Sequence, residues 1–130
     1  MNRKSKGFTL IELVTVIAIL GVLAAMTVPK FFALQTKAKI EVEKQIIGTI
    51  RAGLETYAAN QIVFSGSKTY PVSTTATVLI DILNPVPANW TYLTGSPGTI
   101  VHTRSDSTLH WPYTSTGGAT YSIGTRTEAP

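Results

Sequence analysis

The sequence predicts an α+β protein. A long N-terminal α-helix, membrane-spanning in its first half and amphipathic in its second, packs on a small antiparallel β-sheet. Three observations predict it. Phe8–Val28 is an apolar run of 21 residues whose one ionisable side chain is Glu12. Apolar residues then recur at threes, fours and sevens, at Leu34, Ile40, Ile47, Ile50, Leu54 and Tyr57, the spacing of one helix face. From Trp90 the period changes to two, the spacing of a strand. The chain accordingly divides into a basic segment at 1–7, a membrane helix at 8–29, an amphipathic helix at 30–60 and a head with the sheet at 61–130.

The apolar run is long enough to span a bilayer. At a rise of ~1.5 Å per residue it covers ~31 Å, the thickness of the hydrocarbon core. Arg3, Lys4 and Lys6 precede it and hold its start on the cytoplasmic side. A secretory signal fits poorly, because the run is too long and no clean small-x-small site separates Ala25 from Pro29. A plain anchor fits better but leaves Glu12 unexplained, since a carboxylate near mid-helix costs roughly 2.5–3.5 kcal/mol to insert. Gly21 falls inside the run and Pro29 ends it; Pro29 lacks an N–H and its ring crowds the carbonyl of Ala25, which predicts a kink or a weak turn.

Beyond Lys30 the helix continues in water to about Asn60. Lys37, Lys39, Glu41, Glu43, Lys44, Arg51 and Glu55 fill its polar positions. Gly48 and Gly53 each cost ~1 kcal/mol of helix propensity against Ala, which marks them as close-packing sites. Ser65-Gly66-Ser67 ends the pattern, and Tyr70-Pro71-Val72 is extended. Thr77–Leu83 is β-branched, yet Leu79, Ile82 and Leu83 also suit a short helix capped by Thr75 or Thr77, the reading preferred here. Trp90–Thr94, Thr99–Arg104, Leu109–Tyr113 and Ala119–Ile123 read as strands, with short turns that imply an antiparallel meander of three or four. Pro112 cannot donate a ladder bond, so its strand should lie at an edge or carry a bulge. One face should cover the helix stripe, and the other should be Thr/Ser-rich and wet.

Composition removes several function classes. The formal charge is +4, but three of the eleven basic residues lie in segment 1–7. Without them eight Lys/Arg face seven Asp/Glu, so a specific nucleic-acid partner is not predicted. There is no Cys, hence no disulfide framework and no thiolate site. His102, Asp106 and His110 match no zinc spacing and read as hairpin side chains, so no metal is expected, nor any cofactor. Ser96 in Gly95-Ser-Pro-Gly98 is a turn residue. Asn89-Trp90-Thr91 is a glycosylation sequon too short to outweigh chance. No catalytic constellation is visible, and the chain is not expected to be an enzyme.

At its N-terminus the sequence resembles a family. Lys6-Gly7-Phe8-Thr9-Leu10-Ile11-Glu12-Leu13 is similar to the class III signal of type IV prepilins and type II secretion pseudopilins, and the resemblance covers residues 1–30. It implies a leader peptide at 1–7, cut after Gly7 by a membrane prepilin peptidase, and N-methylation of the new N-terminal Phe8. It implies that Glu12, five residues into the mature chain, stays inside the membrane; the cation at that depth is the amine of Phe8, so the two are expected to pair in assembly. It further implies that Gly21 and Pro29 mark a helix-breaking stretch that extends in the filament. Many type IV pilins close a C-terminal loop with a disulfide; this chain cannot. Major pseudopilins carry a carboxylate-rich calcium loop, whereas the head here has Asp81, Asp106 and Glu128 far apart in sequence, which favours a pilin.

The expectation is therefore a structural subunit of a type IV pilus, with a type II secretion pseudopilin as the alternative. Its partners would be copies of itself in a helical homopolymer, the prepilin peptidase, an inner-membrane assembly platform, and membrane lipid before assembly. It would reside in the bacterial inner membrane and then in an extracellular pilus. A membrane-anchored binding module is a further class, one that would stay monomeric and uncut.

Overall fold

The computed structural model describes residues 7–128. The leader apart from Gly7, including Arg3, Lys4 and Lys6, lies outside the described residues. Two compact units are present, one ending at Lys44 and one beginning at Gln45. A single helix, α1, Leu10–Ser65, runs through both.

In the first unit α1 has no apolar partner. Every large apolar side chain from Phe8 to Leu34 is between 44% and 80% exposed. The polar groups of this stretch satisfy themselves. The hydroxyls of Thr15, Thr27 and Thr36 donate to the carbonyls of Ile11, Leu23 and Phe32 at 2.8, 3.1 and 3.1 Å, the usual back-bonding of a threonine inside a helix. The helix is continuous across both Gly21 and Pro29. Glu43, counted among the polar positions, is in fact buried.

The second unit is built on the far end of α1. Ile47, Ile50, Leu54 and Ala58 form one stripe and enter a core with Tyr70, Val78, Leu79, Trp90, Ile100, Leu109, Trp111 and Tyr113. Helix α1 outlasts its expected end by five residues, to Ser65, where Gly66 adopts φ 73° and closes it with a bond from its N–H to the Ile62 carbonyl at 3.0 Å. The last turn presents Val63 and Phe64 to the outside. A short helix α2, Val78–Ile82, follows. Its N-cap is Thr77, whose hydroxyl bonds the Asp81 carboxylate at 2.8 Å instead of a backbone N–H. Of the two glycines read as packing sites, only Gly53 is one: a Cβ there would stand 2.6 Å from the Ile82 carbonyl oxygen. A Cβ at Gly48 would meet nothing within 4 Å.

The described residues hold five strands: β1 Trp90–Leu93, β2 Gly98–Thr103, β3 Thr108–Thr114, β4 Ser122–Ile123 and β5 Thr127–Glu128. All pairings are antiparallel, in the order β1-β2-β3, with β4 and β5 both on the far side of β3. The alternation places Trp90, Ile100, Leu109, Trp111 and Tyr113 on the core face. The other face carries Thr91, Thr99, Thr103, Thr108 and Thr114, although Val101 among them is buried.

Pro112 is not on an edge strand. Residue 110 pairs with 127 and residue 113 with 123, so three residues, Gly124 to Arg126, face two across the gap. The extra residue lies in the facing chain, opposite the proline that has no N–H to offer, and the bulge absorbs the missing bond. The Gly124 N–H donates to the Pro112 carbonyl at 2.8 Å. Only glycine allows this approach, since a Cβ at 124 would lie 2.6 Å from the Pro112 ring. The expected strand at Ala119–Ile123 shrinks to its last two residues, and β5 was not expected.

These strands also show how the C-terminal segment is held without a disulfide. Tyr121 packs its ring 4.6 Å from Tyr70 and 6.3 Å from Tyr113. The Thr127 hydroxyl donates to the His110 carbonyl at 3.2 Å. Tyr113, fully buried, donates its hydroxyl to the Pro71 carbonyl at 2.7 Å, and Tyr92 donates to the Ser73 carbonyl at 2.7 Å. The loop before α2 is thereby tied to the sheet.

Candidate functional site at the helix N-terminus

The sequence placed its site residues at the N-terminus, and there the local geometry is specific. Thr9 is the residue before α1. Its hydroxyl accepts the Glu12 N–H at 3.3 Å, while the Glu12 carboxylate accepts the Thr9 N–H at 2.8 Å and the Thr9 hydroxyl at 2.7 Å. The Leu13 N–H reaches the Thr9 carbonyl at 3.3 Å. This is a capping box: a threonine and an acid three residues on satisfy each other's backbone donors. Sequence reading missed it, although Thr9-Leu10-Ile11-Glu12 before an apolar run is its signature. The box gives Glu12 a local reason to be there. Both carboxylate bonds go to Oε2, so Oε1 takes no part in them.

Gly7 and Phe8 lie outside the helix, and Phe8 is 77% exposed. Among the described residues a Cβ at Gly7 would meet nothing within 4 Å. Gly21 also has open space around it. Pro29 removes the donor that the Ala25 carbonyl would otherwise have, and the Thr27 hydroxyl nearby is shared between Leu23 and Ala24 carbonyls at 3.1 and 3.2 Å. Gly7 and Phe8 thus lie just before α1 and Glu12 in its first turn, while Gly21 and Pro29 stand further along the helix.

Elsewhere the ionisable groups are occupied separately. His102 stacks on Trp90 with centroids 4.5 Å apart, and Trp90 stacks on Trp111. Asp106 accepts from Arg104 Nε at 2.9 Å. Among the described residues no group of three or more His, Cys, Asp or Glu side chains could hold a metal ion. Glu55 accepts from the Tyr70 hydroxyl at 2.8 Å and pairs with Lys68 at 3.2 Å, and these contacts, the Tyr70 bond first, hold its carboxyl below the usual range. Burial pushes the Tyr92 and Tyr113 phenols up to about 12.

Residues 2–28 match the prokaryotic N-terminal methylation motif. The type II secretion system core protein G of Pseudomonas aeruginosa is 36% identical over 89 residues, which are 68% of this chain and 61% of that protein. The type IV major pilin protein of Myxococcus xanthus is 50% identical over 38 residues, 29% of this chain and 17% of the relative. The type IV major fimbrial protein of Dichelobacter nodosus is 38% identical over 56 residues, 43% of this chain and 36% of the relative. In each case the chain spans only part of the relative's length. No solved structure matches.

The class is set by the N-terminus: this is a protein of the prepilin type, with a long apolar-to-amphipathic helix carrying a small antiparallel sheet. The chain carries the prepilin methylation motif at residues 2–28, and its relatives include both type IV pilins and type II secretion core proteins.

Proposed function

We propose that the chain is a structural subunit of a type IV pilus. The precursor divides into leader (1–7), membrane and filament-core helix (8–29), amphipathic helix (30–60) and head (61–130). A prepilin peptidase cuts after Gly7, the new N-terminal Phe8 is methylated, and the subunit waits in the inner membrane for the assembly platform. α1 is long and apolar enough to cross a membrane. In the filament the same surfaces leave lipid and pack against other copies, where close van der Waals fit decides. The observation that carries the reading is the N-terminal turn: an exposed Gly7–Phe8 junction, open space around Gly7 among the described residues, and Glu12 at the head of an uncovered apolar helix.

Glu12 sets the axial step. In apolar surroundings the carboxylate needs more than the helix dipole, worth about 0.3–1 kcal/mol, and the Thr9 bonds occupy Oε2. Oε1 accepts the amine of Phe8, its own or a neighbour's, which is mostly charged near neutral pH. Gly21 and Pro29 bound the stretch that loosens in the filament, where neighbouring chains re-satisfy the freed backbone groups. Mass spectrometry of sheared fibres tests the reading: a subunit starting at methylated Phe8 is expected, and any other start overturns it.

One observation favours a pseudopilin instead. The match to the secretion core protein extends over 89 residues and into the head, whereas the two pilin matches cover 38 and 56. Deleting the gene separates the two. Loss of surface fibres with normal protein export supports the pilin, and loss of export with fibres intact supports the pseudopilin.

A further inference from the structure

We infer that Thr9 is a positioning residue for processing: its cap fixes where α1 begins and so keeps the Gly7–Phe8 bond outside the helix. The inference rests on the cleavage reading above. A protease needs the scissile carbonyl free and the backbone extended. If α1 began a turn earlier, the Gly7 carbonyl would accept the Ile11 N–H, and the bond to be cut would be wound into the first turn. In apolar surroundings that backward growth is favoured, because each uncapped N–H at a helix start seeks a partner. Thr9 weakens the drive. It supplies an acceptor for the Glu12 N–H, and the Glu12 side chain takes the Thr9 N–H, so two of the four orphan donors are met with the helix starting at Leu10. Gly7 and Phe8 are then left in irregular, exposed backbone. Among the described residues, nothing would contact a side chain at Gly7.

The same geometry separates the roles of Thr9 and Glu12. The capping bond from Thr9 uses the backbone of position 12 and survives a change of the Glu12 side chain. Substitutions at Thr9 should therefore act first on processing, whereas substitutions at Glu12, which give up only the bond from the Thr9 N–H, should slow processing less and act mainly on assembly.

The test is a time course of leader removal from the full-length precursor in membranes that contain its peptidase, read by mass spectrometry and normalised to inserted precursor. Thr9→Val keeps the shape and loses the cap; Thr9→Ser keeps the cap. Cleavage of Thr9→Val should slow by roughly five-fold, the population cost of a lost N-cap, and Thr9→Ser should restore the wild-type rate. Equal rates for Thr9→Val and wild type overturn the inference. So does equal slowing of both variants, which would mean that the threonine methyl is recognised and not its hydroxyl. If the wild-type precursor itself is not cut after Gly7, it is the cleavage reading that fails.

Discussion

The two halves of α1 solve the same problem differently. Between Ile47 and Ala58 the apolar residues fall on one stripe and are covered by the chain's own sheet, with Leu54 and Ala58 at 0% exposure. Between Phe8 and Leu34 they point in all directions, and nothing among the described residues covers them. A stripe can be buried by one neighbour, while an all-round apolar helix needs surroundings on every side. The second half is therefore folded by its own sequence, whereas on the proposed function the first would be covered by lipid or by other copies of the chain.

The largest expected effect breaks the first half alone. Glu12→Val should give cleaved subunit and few or no fibres, because removing one partner of a buried charge pair costs about 3–5 kcal/mol. The Tm of the head should not change. Wild-type fibre yield would show that the carboxylate does not drive assembly. Next comes a paired truncation. Leu54→Ala should destabilise the head by about 2–5 kcal/mol in denaturant titration, the cost of a cavity in a closed core. Leu20→Ala, the same change in the uncovered half, should leave that titration unmoved; equal losses would erase the distinction between the halves.

A smaller effect is expected from the two glycines. Gly53→Ala pushes a methyl against the Ile82 carbonyl and should cost about 1–3 kcal/mol. Gly48→Ala has open space and should stabilise by up to about 1 kcal/mol through helix propensity. The smallest effect is a base-side limit that belongs to the head. Tyr92 and Tyr113 hold their protons up to about 12, whereas unfolded tyrosine titrates near ~10. The folded state then binds more protons than the unfolded one between those values, so stability is complete below ~10 and falls as pH rises through the window. Tyrosinate absorbance and loss of near-UV dichroism should rise together there. Ionisation of both phenols well below unfolding would show that they are not protected.

Much of this was legible in the sequence because period alone reports which faces are covered. The apolar run, the Ile47–Leu54 stripe and the two-residue alternation of β1 to β3 all follow from residues close in sequence. What was not legible depends on distant partners. Nothing local shows that Ile82 meets Gly53 while Gly48 meets nothing, or that Glu43 is buried. Pro112 calls for an edge or a bulge, but which of the two is not local, because the bulge that accommodates it lies in a segment twelve residues further on. Ala119–Ile123 has strand-like residues, but only the part opposite Tyr113 and Thr114 finds a partner. The capping box is the opposite case: Thr9 and Glu12 are local and their spacing is diagnostic, yet the expected charge pair drew attention away from it.

The bulge at Gly124 has a consequence for how such a molecule stays soluble at high local density. Subunits concentrated for polymerisation bring their sheets close together, and an open strand invites another strand to join it. Beyond β3 this sheet ends in two strands of two residues, split by an irregular step, and its opposite border, β1, is four residues long. Neither border offers a straight template of useful length. On the proposed function, a subunit that assembles through its helices would thus have cross-β growth closed off at its own rim, with α1 as the route to a fibre.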